Sequence, residues 1–388
     1  MRKLAPHTRF GDYELERRLG SGGMAEVWLA YPLAPGHPSP RVVVKVMHEH
    51  LTSERRVVEL FHEEARLAQR LDHPNIVRVF EAGQVDDDWF MTMEYVDGID
   101  LRSAIVAHGG PLWPAMAASL FADAAAGLHA AHSLKSPSGA LLNLVHRDIS
   151  PDNLMVDRRG RVRVLDFGVA RAADTEHTTL TGSRKGKVRY MAPEYLVDHK
   201  ASAATDVYAL GASLFEVVTG HRPFEHAQGT ADLHIAVARE QLPSASEVRP
   251  SLPEPLVAII RHATHKDPRQ RMSTAKAFER QLRTFLTQWP PPTPEQIGDE
   301  VRVWRQRLVL EKPLRREAGS FGQLETTEFI PMTPLDDDTT EPRGLVFNKK
   351  KEVSEANVVL APELERGAVR TRGKPKKPTR PRRVTPKR

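Results

Sequence analysis

The sequence predicts an α+β chain of two lobes, in which a small β-sheet with one helix is followed by a larger, mainly α-helical part. Three observations indicate this fold class. Residues 13–47 and 75–96 contain short β-branched or alternating segments separated by turn residues. One amphipathic segment, residues 53–71, lies between them. After Gly98, apolar residues recur mostly at helical spacing as far as Leu286.

The elements of the first lobe follow from this periodicity in chain order. Residues 13–20, 25–32 and 41–48 predict three strands of an antiparallel meander, with Gly and Pro turns between them. The helix that follows ends at His73-Pro74, because proline cannot continue it. Residues 75–85 and 88–96 predict two further strands, and residues 161–165 predict a short strand within the helical part.

The domain boundaries follow from composition. We divide the chain into an N-terminal extension (1–12), a folded domain (13–286) whose lobes cover about residues 13–97 and 98–286, and a disordered tail (287–388). The tail is predicted to be disordered because it is Pro-rich, basic and poor in aromatic residues. It carries 21 Lys and Arg against 15 Asp and Glu from Pro290 onward, which accounts for the whole net charge of +6.

The composition also limits the compartment and the class of site. The chain has no cysteine, which excludes disulfides and thiolate metal sites and fits a reducing compartment. It has no signal-peptide pattern and no apolar run of about 18 residues, so we expect a cytoplasmic protein without a transmembrane segment.

Several motifs carry chemistry. A glycine-rich turn, residues 19–30, lies between two predicted strands, where its backbone N–H groups could bind phosphates. Lys45 lies on the next strand, and the following helix offers Glu64, with Glu63 as the alternative, as a partner for its ammonium group. Each signal alone is weak, because hairpin turns, edge lysines and exposed glutamates are common. Their order along the chain makes them specific.

The second group of motifs lies in the helical part. It comprises the sequences His-Arg-Asp at 146–148 with Asn153, Asp-Phe-Gly at 166–168, Ala-Pro-Glu at 192–194, Asp206 to Gly211, and Arg271. With the glycine-rich turn and Lys45, this ordered set resembles the eukaryotic-like serine/threonine protein kinases of bacteria over residues 13–286. The resemblance implies a bilobal kinase fold and transfer of the ATP γ-phosphate to protein hydroxyls.

The resemblance also assigns roles to residues. Asp148 would accept or orient the substrate hydroxyl, while Asp166 and Asn153 would bind Mg²⁺, with Mn²⁺ as a possible substitute. Glu194 and Arg271 would form a structural ion pair, and Asp206 would hold the backbone of the catalytic loop. The implied nucleotide-binding residues are Leu19, Gly20, Ser21, Gly22, Gly23, Val27, Lys45, Glu64, Met93, Glu94 and Val96.

Three positions depart from the family pattern. Ala25 replaces the third glycine of the loop, a modest change if its φ is negative. Ser150 stands where these kinases usually have a lysine that contacts the γ-phosphate, and Lys187 stands where they usually have a threonine. We expect an exchange, in which Lys187 reaches Asp148 from the opposite side and Ser150 is its hydrogen-bond partner. A nucleotide-binding pseudokinase scaffold and, more remotely, a small-molecule phosphotransferase are the alternatives.

Regulation is expected in the segment after Gly168. Arg147 beside the catalytic Asp needs an anion, which a phosphothreonine would supply. Thr179 and Thr181 are the first candidates for autophosphorylation, followed by Thr175 and Thr178.

The tail suggests partners besides protein substrates. Thr333 with Asp336 resembles a phosphothreonine ligand of forkhead-associated domains, although a solvated linker explains the pattern as well. The last 19 residues hold ten basic and no acidic residues and would attract an acidic partner. The sequence gives neither the oligomeric state nor a role for the insertion at 133–143.

Overall fold

The N-terminal lobe of the computed structural model is built on a six-stranded antiparallel sheet. The structure describes residues 4–167 and 186–317, with side chains as far as Val309. Within these ranges the strand order is β1-β2-β3-β4-β6-β5. The strands are β1 (Arg9–Phe10), β2 (Tyr13–Ser21), β3 (Ala25–Pro32), β4 (Val42–Met47), β5 (Val79–Val85) and β6 (Asp88–Glu94).

The first strand corrects the predicted N-terminal extension. β1 pairs with β2, and Phe10 is fully buried with its ring centroid 5.4 Å from that of Phe90. Part of the predicted extension therefore belongs to the sheet. A strand of two residues is too short for periodicity to reveal it.

The helical insertion of this lobe consists of α1 (Glu49–Thr52) and α2 (Arg55–Ala68). The apolar face of α2 buries Phe61 and Ala65 in one cluster with Met91 of the sheet. Glu64 is buried as well, with 5% of its surface exposed. Packing of this amphipathic helix therefore brings a carboxylate toward the strands.

The C-terminal lobe is mainly helical. Two of its helices, α4 (Pro114–His132) and α6 (Ala203–Thr219), bury most of their residues, and the small residues on them allow close packing. A Cβ at Gly211 of α6 would lie 2.7 Å from Cβ of Ala263 on a neighbouring helix. The helices up to residue 286 are α3 (Leu101–His108), α4 (Pro114–His132), α5 (Pro193–Asp198), α6 (Ala203–Thr219), α7 (Gly229–Arg239), α8 (Ala245–Val248), α9 (Glu254–Ala263) and α10 (Ala275–Leu286).

A second sheet, of three strands, lies next to the segment at 93–96 and contains the hairpin between Asn153 and Asp166. It contains β7 (Gly98–Asp100), β8 (Leu154–Asp157) and β9 (Val162–Val164) in that order. Backbone bonds join β9 to the segment before β5, where the Val77 amide donates to the Val164 carbonyl at 3.0 Å. Because β8 and β9 lie between Asn153 and Asp166 in the chain, this hairpin fixes the spacing of the two proposed metal ligands.

The region after residue 286 differs from the sequence prediction. Instead of a disordered tail from residue 287, the chain forms α11 (Pro294–Glu317). Ile297, Val301 and Trp304 recur at helical spacing, and all three are buried in the core of the C-terminal lobe. The composition of this segment did not predict a helix, because charged residues surround its narrow apolar face. No helix in residues 4–167 or 186–317 is both long and apolar enough to cross a membrane.

The insertion at 133–143 forms a surface hairpin. Lys135 and Leu141 form an antiparallel bridge, and the Ser136 amide donates to the Ala140 carbonyl at 2.7 Å. Arg70, just beyond α2, donates to the Lys135 carbonyl at 2.5 Å. The hairpin therefore contacts the residues that follow the helix of the N-terminal lobe.

Candidate active site

The loop at 145–153 is held by one buried carboxylate. Asp206 accepts hydrogen bonds from the amides of His146 at 2.8 Å and Arg147 at 2.9 Å. His132 Nε2 lies 2.7 Å from the same carboxylate. Burial alone would raise the pKa of Asp206, but these partners outweigh burial and lower it. A charged Asp206 thus fixes a backbone in which Arg147 has a φ of 66°.

Three side chains meet at the next residues of this loop. Lys187 Nζ lies 2.8 Å from Asp148 Oδ2 and 3.4 Å from Asn153 Oδ1. Asn153 Nδ2 donates to the same Asp148 oxygen at 2.8 Å and to the Asp148 carbonyl at 2.6 Å. The Asp148 side chain is 7% exposed, so its negative charge is compensated by the ammonium group of Lys187 and the amide of Asn153.

Ser150 does not take the place that the sequence suggested. It is fully buried, and its Oγ has no hydrogen-bond partner among the described residues. Lys187 contacts Asp148 and Asn153 instead. The expected hydrogen bond between Ser150 and Lys187 is therefore wrong, because Ser150 begins the Pro151–Asn153 turn in an extended conformation, with φ −156°.

The second cluster joins the two lobes. Lys45 on β4 lies 3.2 Å from Asp166 Oδ1 and 4.0 Å from Glu64 Oε1. Glu63, the alternative partner, forms an exposed pair with Arg66 at 2.7 Å instead. Partial desolvation raises the pKa of Asp166, but the charges around it, Lys45 first, hold the pKa below its ordinary value.

The glycine-rich turn leaves open space above β3. A Cβ at Gly20 would meet no atom within 4 Å, and one at Gly22 would meet only the Ala25 carbonyl, at 3.9 Å. Neither glycine has a positive φ. The packing of the chain itself therefore does not require glycine here, which fits a backbone kept clear for a ligand.

The remaining residues of the predicted nucleotide site line the same region. Ala25, which replaces the third glycine of the loop, has a negative φ and lies in β3. This is the backbone conformation for which we expected the replacement to be a modest change. Val27 is directly opposite Lys45 in the sheet. Leu19 lies in the bulged part of β2, Ser21 pairs with Glu26, and Gly23 lies in the turn.

The segment at 93–96 connects the lobes. Met93 and Val96 are buried in the cluster under α2. The Glu94 amide donates to the Arg78 carbonyl at 2.8 Å, and its carboxylate accepts from Arg163 at 2.9 Å. Binding of a nucleotide base by the backbone of this segment stays a prediction.

Two arginines with predicted structural roles differ in their surroundings. Arg271 is buried and donates to both Glu194 oxygens at 2.7 Å, with its guanidinium 4.9 Å from the Tyr208 ring centre. Arg147, by contrast, has a buried Nε without a hydrogen-bond partner in residues 4–167 and 186–317. The predicted phosphorylation sites Thr179 and Thr181 and the alternatives Thr175 and Thr178 lie outside the described residues, as does Gly168.

Sequence motifs missed one charged network beside the catalytic loop. Arg102 on α3 donates to both oxygens of Asp152, at 3.0 and 3.1 Å, and also to Glu216 and the Tyr190 hydroxyl. These residues lie far apart in the chain, so their spacing gave no signal. The position of Asp152 between Asp148 and Asn153 was the one available hint.

Comparison with known proteins agrees with this geometry. The protein kinase domain model matches residues 13–282. The tyrosine-protein kinase MasK of Myxococcus xanthus is 43% identical over 284 residues, which cover 72% of this chain and 44% of MasK. The serine/threonine-protein kinase PrkC of Bacillus subtilis is 35% identical, over 71% of this chain and 40% of PrkC. The chain thus spans less than half the length of these two relatives.

A solved structure shares the fold. The crystal structure of the Mycobacterium tuberculosis PknI kinase domain matches with a TM-score of 0.57 and 25% identity, over 73% of this chain and 98% of that one. Residues 13–282, which the family model matches, carry both charged clusters described above, the glycine-rich turn and the pair of Glu194 with Arg271. This chain belongs to the protein kinase domain family.

Proposed function

We propose that this chain is an ATP-dependent protein kinase that phosphorylates serine and threonine residues of proteins, and its own activation segment, in bacterial signal transduction. The proposal rests on one observation, namely that the Lys45 ammonium group contacts the carboxylates of both Glu64 and Asp166. Strand, helix and loop supply them from both lobes, and an ammonium group between two carboxylates suits a phosphate-binding site. Bacterial kinases among the relatives support the same activity.

The described residues fit ATP with a divalent cation. Gly20 and Gly22 leave space for phosphates, and Asp166 and Asn153 offer oxygen ligands. Mg²⁺ usually takes only one or two protein ligands and completes its shell with water and phosphate, and Mn²⁺ accepts the same donors. The bound cation would neutralise phosphate charge, while Lys45, held by Glu64, would orient the phosphates.

We further propose that Lys187 supplies the positive charge that Ser150 cannot. Its ammonium group contacts Asp148, the proposed acceptor of the substrate proton, at 2.8 Å. Asn153 holds the same carboxylate from the other side. Asp148 would orient the substrate hydroxyl, and Lys187 would stabilise charge that develops during transfer.

A tyrosine acceptor is the second candidate. The relative with 43% identity is named a tyrosine-protein kinase. The residues at 150 and 187 are those that usually separate the two classes, and both are exchanged here. Phosphoamino-acid analysis of the autophosphorylated protein distinguishes the candidates, because phosphotyrosine alone would overturn the serine/threonine assignment.

Partners and compartment are proposed from the sequence. Protein substrates follow from the family, a forkhead-associated domain is proposed to bind phosphorylated Thr333, and an acidic partner is proposed for the last 19 residues. The lack of cysteine fits the cytoplasm. Pull-downs with phosphorylated and unphosphorylated peptides, and cell fractionation, test these proposals.

The central test combines labelled ATP with the purified chain and with Asp148→Asn. We expect Mg²⁺-dependent labelling by the wild-type chain and at least about a hundredfold less by the variant. Phosphosite mapping then shows whether Thr179 and Thr181 are modified. Tight binding of ATP without labelling would support a pseudokinase scaffold instead.

A further inference from the structure

α11 lies beyond the residues that the family model matches. The protein kinase domain model ends at residue 282, whereas α11 begins at Pro294. The helix nevertheless packs as core, since Val301 and Trp304 are fully buried and Ile297 is 2% exposed. A tail merely resting on the surface would not bury a tryptophan completely.

The contact between α11 and the β8–β9 turn requires glycine on both sides. A Cβ at Gly298 of α11 would lie 2.3 Å from the Arg158 carbonyl. A Cβ at Gly160, whose φ is +74°, would lie 2.1 Å from the Pro294 carbonyl. Both neighbouring atoms belong to the backbone and cannot rotate away. The two segments therefore have one close and specific arrangement.

Charged contacts join the same helix to the segment that connects the lobes. Arg305 of α11 forms an ion pair with Asp97, which directly follows Val96. Arg158 in the β8–β9 turn pairs with the other oxygen of Asp97 at 3.1 Å, and its amide donates to the Asp97 carbonyl at the same distance. The Asp97 side chain thus lies between α11 and the β8–β9 turn.

We propose that α11 is a working part of the catalytic domain and positions the nucleotide site, with Arg305 as a positioning residue that acts through Asp97. The helix contacts both ends of that site, namely the 93–96 segment through Asp97 and the hairpin between Asn153 and Asp166 through Gly298. Without the α11 contacts, these two ends would be joined only by the β7–β8 pairing and the contacts between Arg158 and Asp97. This inference rests on the proposed ATP-dependent activity.

The first test compares Arg305→Ala with Gln306→Ala in the full chain. Gln306 is exposed on the same helix and serves as the matched control. We expect Arg305→Ala to raise KM for ATP about two- to fivefold with little change in kcat, and Arg305→Lys to restore part of the loss. The dissociation constant for a fluorescent ATP analogue with Mg²⁺ gives the same comparison without turnover.

The second test uses Gly298→Ala, whose new methyl group must push α11 from the β8–β9 turn. We expect ATP affinity to fall at least about fivefold and Tm to decrease, since overpacking against backbone is costly. Equal nucleotide affinities for Arg305→Ala, Gly298→Ala and Gln306→Ala would overturn this inference alone. A wild-type chain without nucleotide affinity would overturn the proposed function together with it.

Discussion

Replacing Lys187 by methionine tests the exchange of charge around the catalytic loop. The substitution keeps a long side chain but removes the ammonium group that contacts Asp148 at 2.8 Å. Asn153 Nδ2 still donates to that carboxylate at 2.8 Å, and Asp206 still holds the loop backbone. The loop should therefore keep its conformation, so that the measured effect reports the lost charge.

The expected magnitude follows from the role of one preorganised charge. Removing one such group usually costs about 10²–10³ in kcat, or roughly 3–4 kcal/mol. The Lys187 side chain is 24% exposed, so solvent screening favours the lower end, about a hundredfold. KM for ATP should change little, because the phosphate-binding Lys45 belongs to the other cluster.

The assay measures phosphate transfer from labelled ATP to a generic protein substrate over a range of ATP concentrations. Lys200→Met is the control, because that lysine is exposed and its nearest carboxylate, Asp198, lies 3.5 Å away. The double variant Ser150→Lys with Lys187→Thr should have a higher kcat than Lys187→Thr alone. If kcat of Lys187→Met stays within about threefold of the wild-type value, the proposal that Lys187 supplies the charge missing at Ser150 is refuted.

Three further outcomes concern stability. Ser150→Ala should leave activity intact and stability unchanged or up to about 1 kcal/mol higher by urea unfolding, since the lost hydroxyl makes no hydrogen bond. Arg271→Ala should lower the free energy of unfolding by about 3–5 kcal/mol, because Glu194 loses its buried partner. Burial raises the pKa of Asp100 to about 6, so its protonation favours the folded state at low pH and this stabilisation disappears as pH rises through 6. Asp100→Asn should therefore be more stable than wild type above pH 6, by up to roughly 3 kcal/mol, while keeping the cap on Ser103.

Motif residues could be predicted because chemistry fixes both their type and their order. The resemblance assigned Lys45 to the nucleotide site and Asp166 to its metal ion, and the two side chains lie 3.2 Å apart. The contact of Lys187 with Asp148 could also be inferred, because two departures from one pattern were complementary. That the Ser150 hydroxyl makes no hydrogen bond within the described residues could not be inferred, since the direction of a short side chain depends on local backbone angles.

Elements outside the motifs were harder to predict. The main strands and the long helix of the first lobe follow from strong periodicity, within a few residues of the observed bounds. α11 was missed because its apolar face is narrow and its surroundings are charged and Pro-rich. The network around Arg102 was missed because it joins residues separated by 50 to 114 positions, and no local pattern records such contacts.

The placement of Lys187 also predicts how phosphorylation controls the rate. The catalytic loop is held by Asp206 from within the C-terminal lobe, whereas Lys187 directly follows the segment that contains Thr179 and Thr181. The conformation of that segment should therefore determine whether the ammonium group reaches Asp148. Phosphorylation should raise kcat of the wild-type chain at least about tenfold over the phosphatase-treated form, but change kcat of Lys187→Met much less. Steady-state rates of the four preparations give two ratios, and equal ratios would show that phosphorylation acts independently of Lys187.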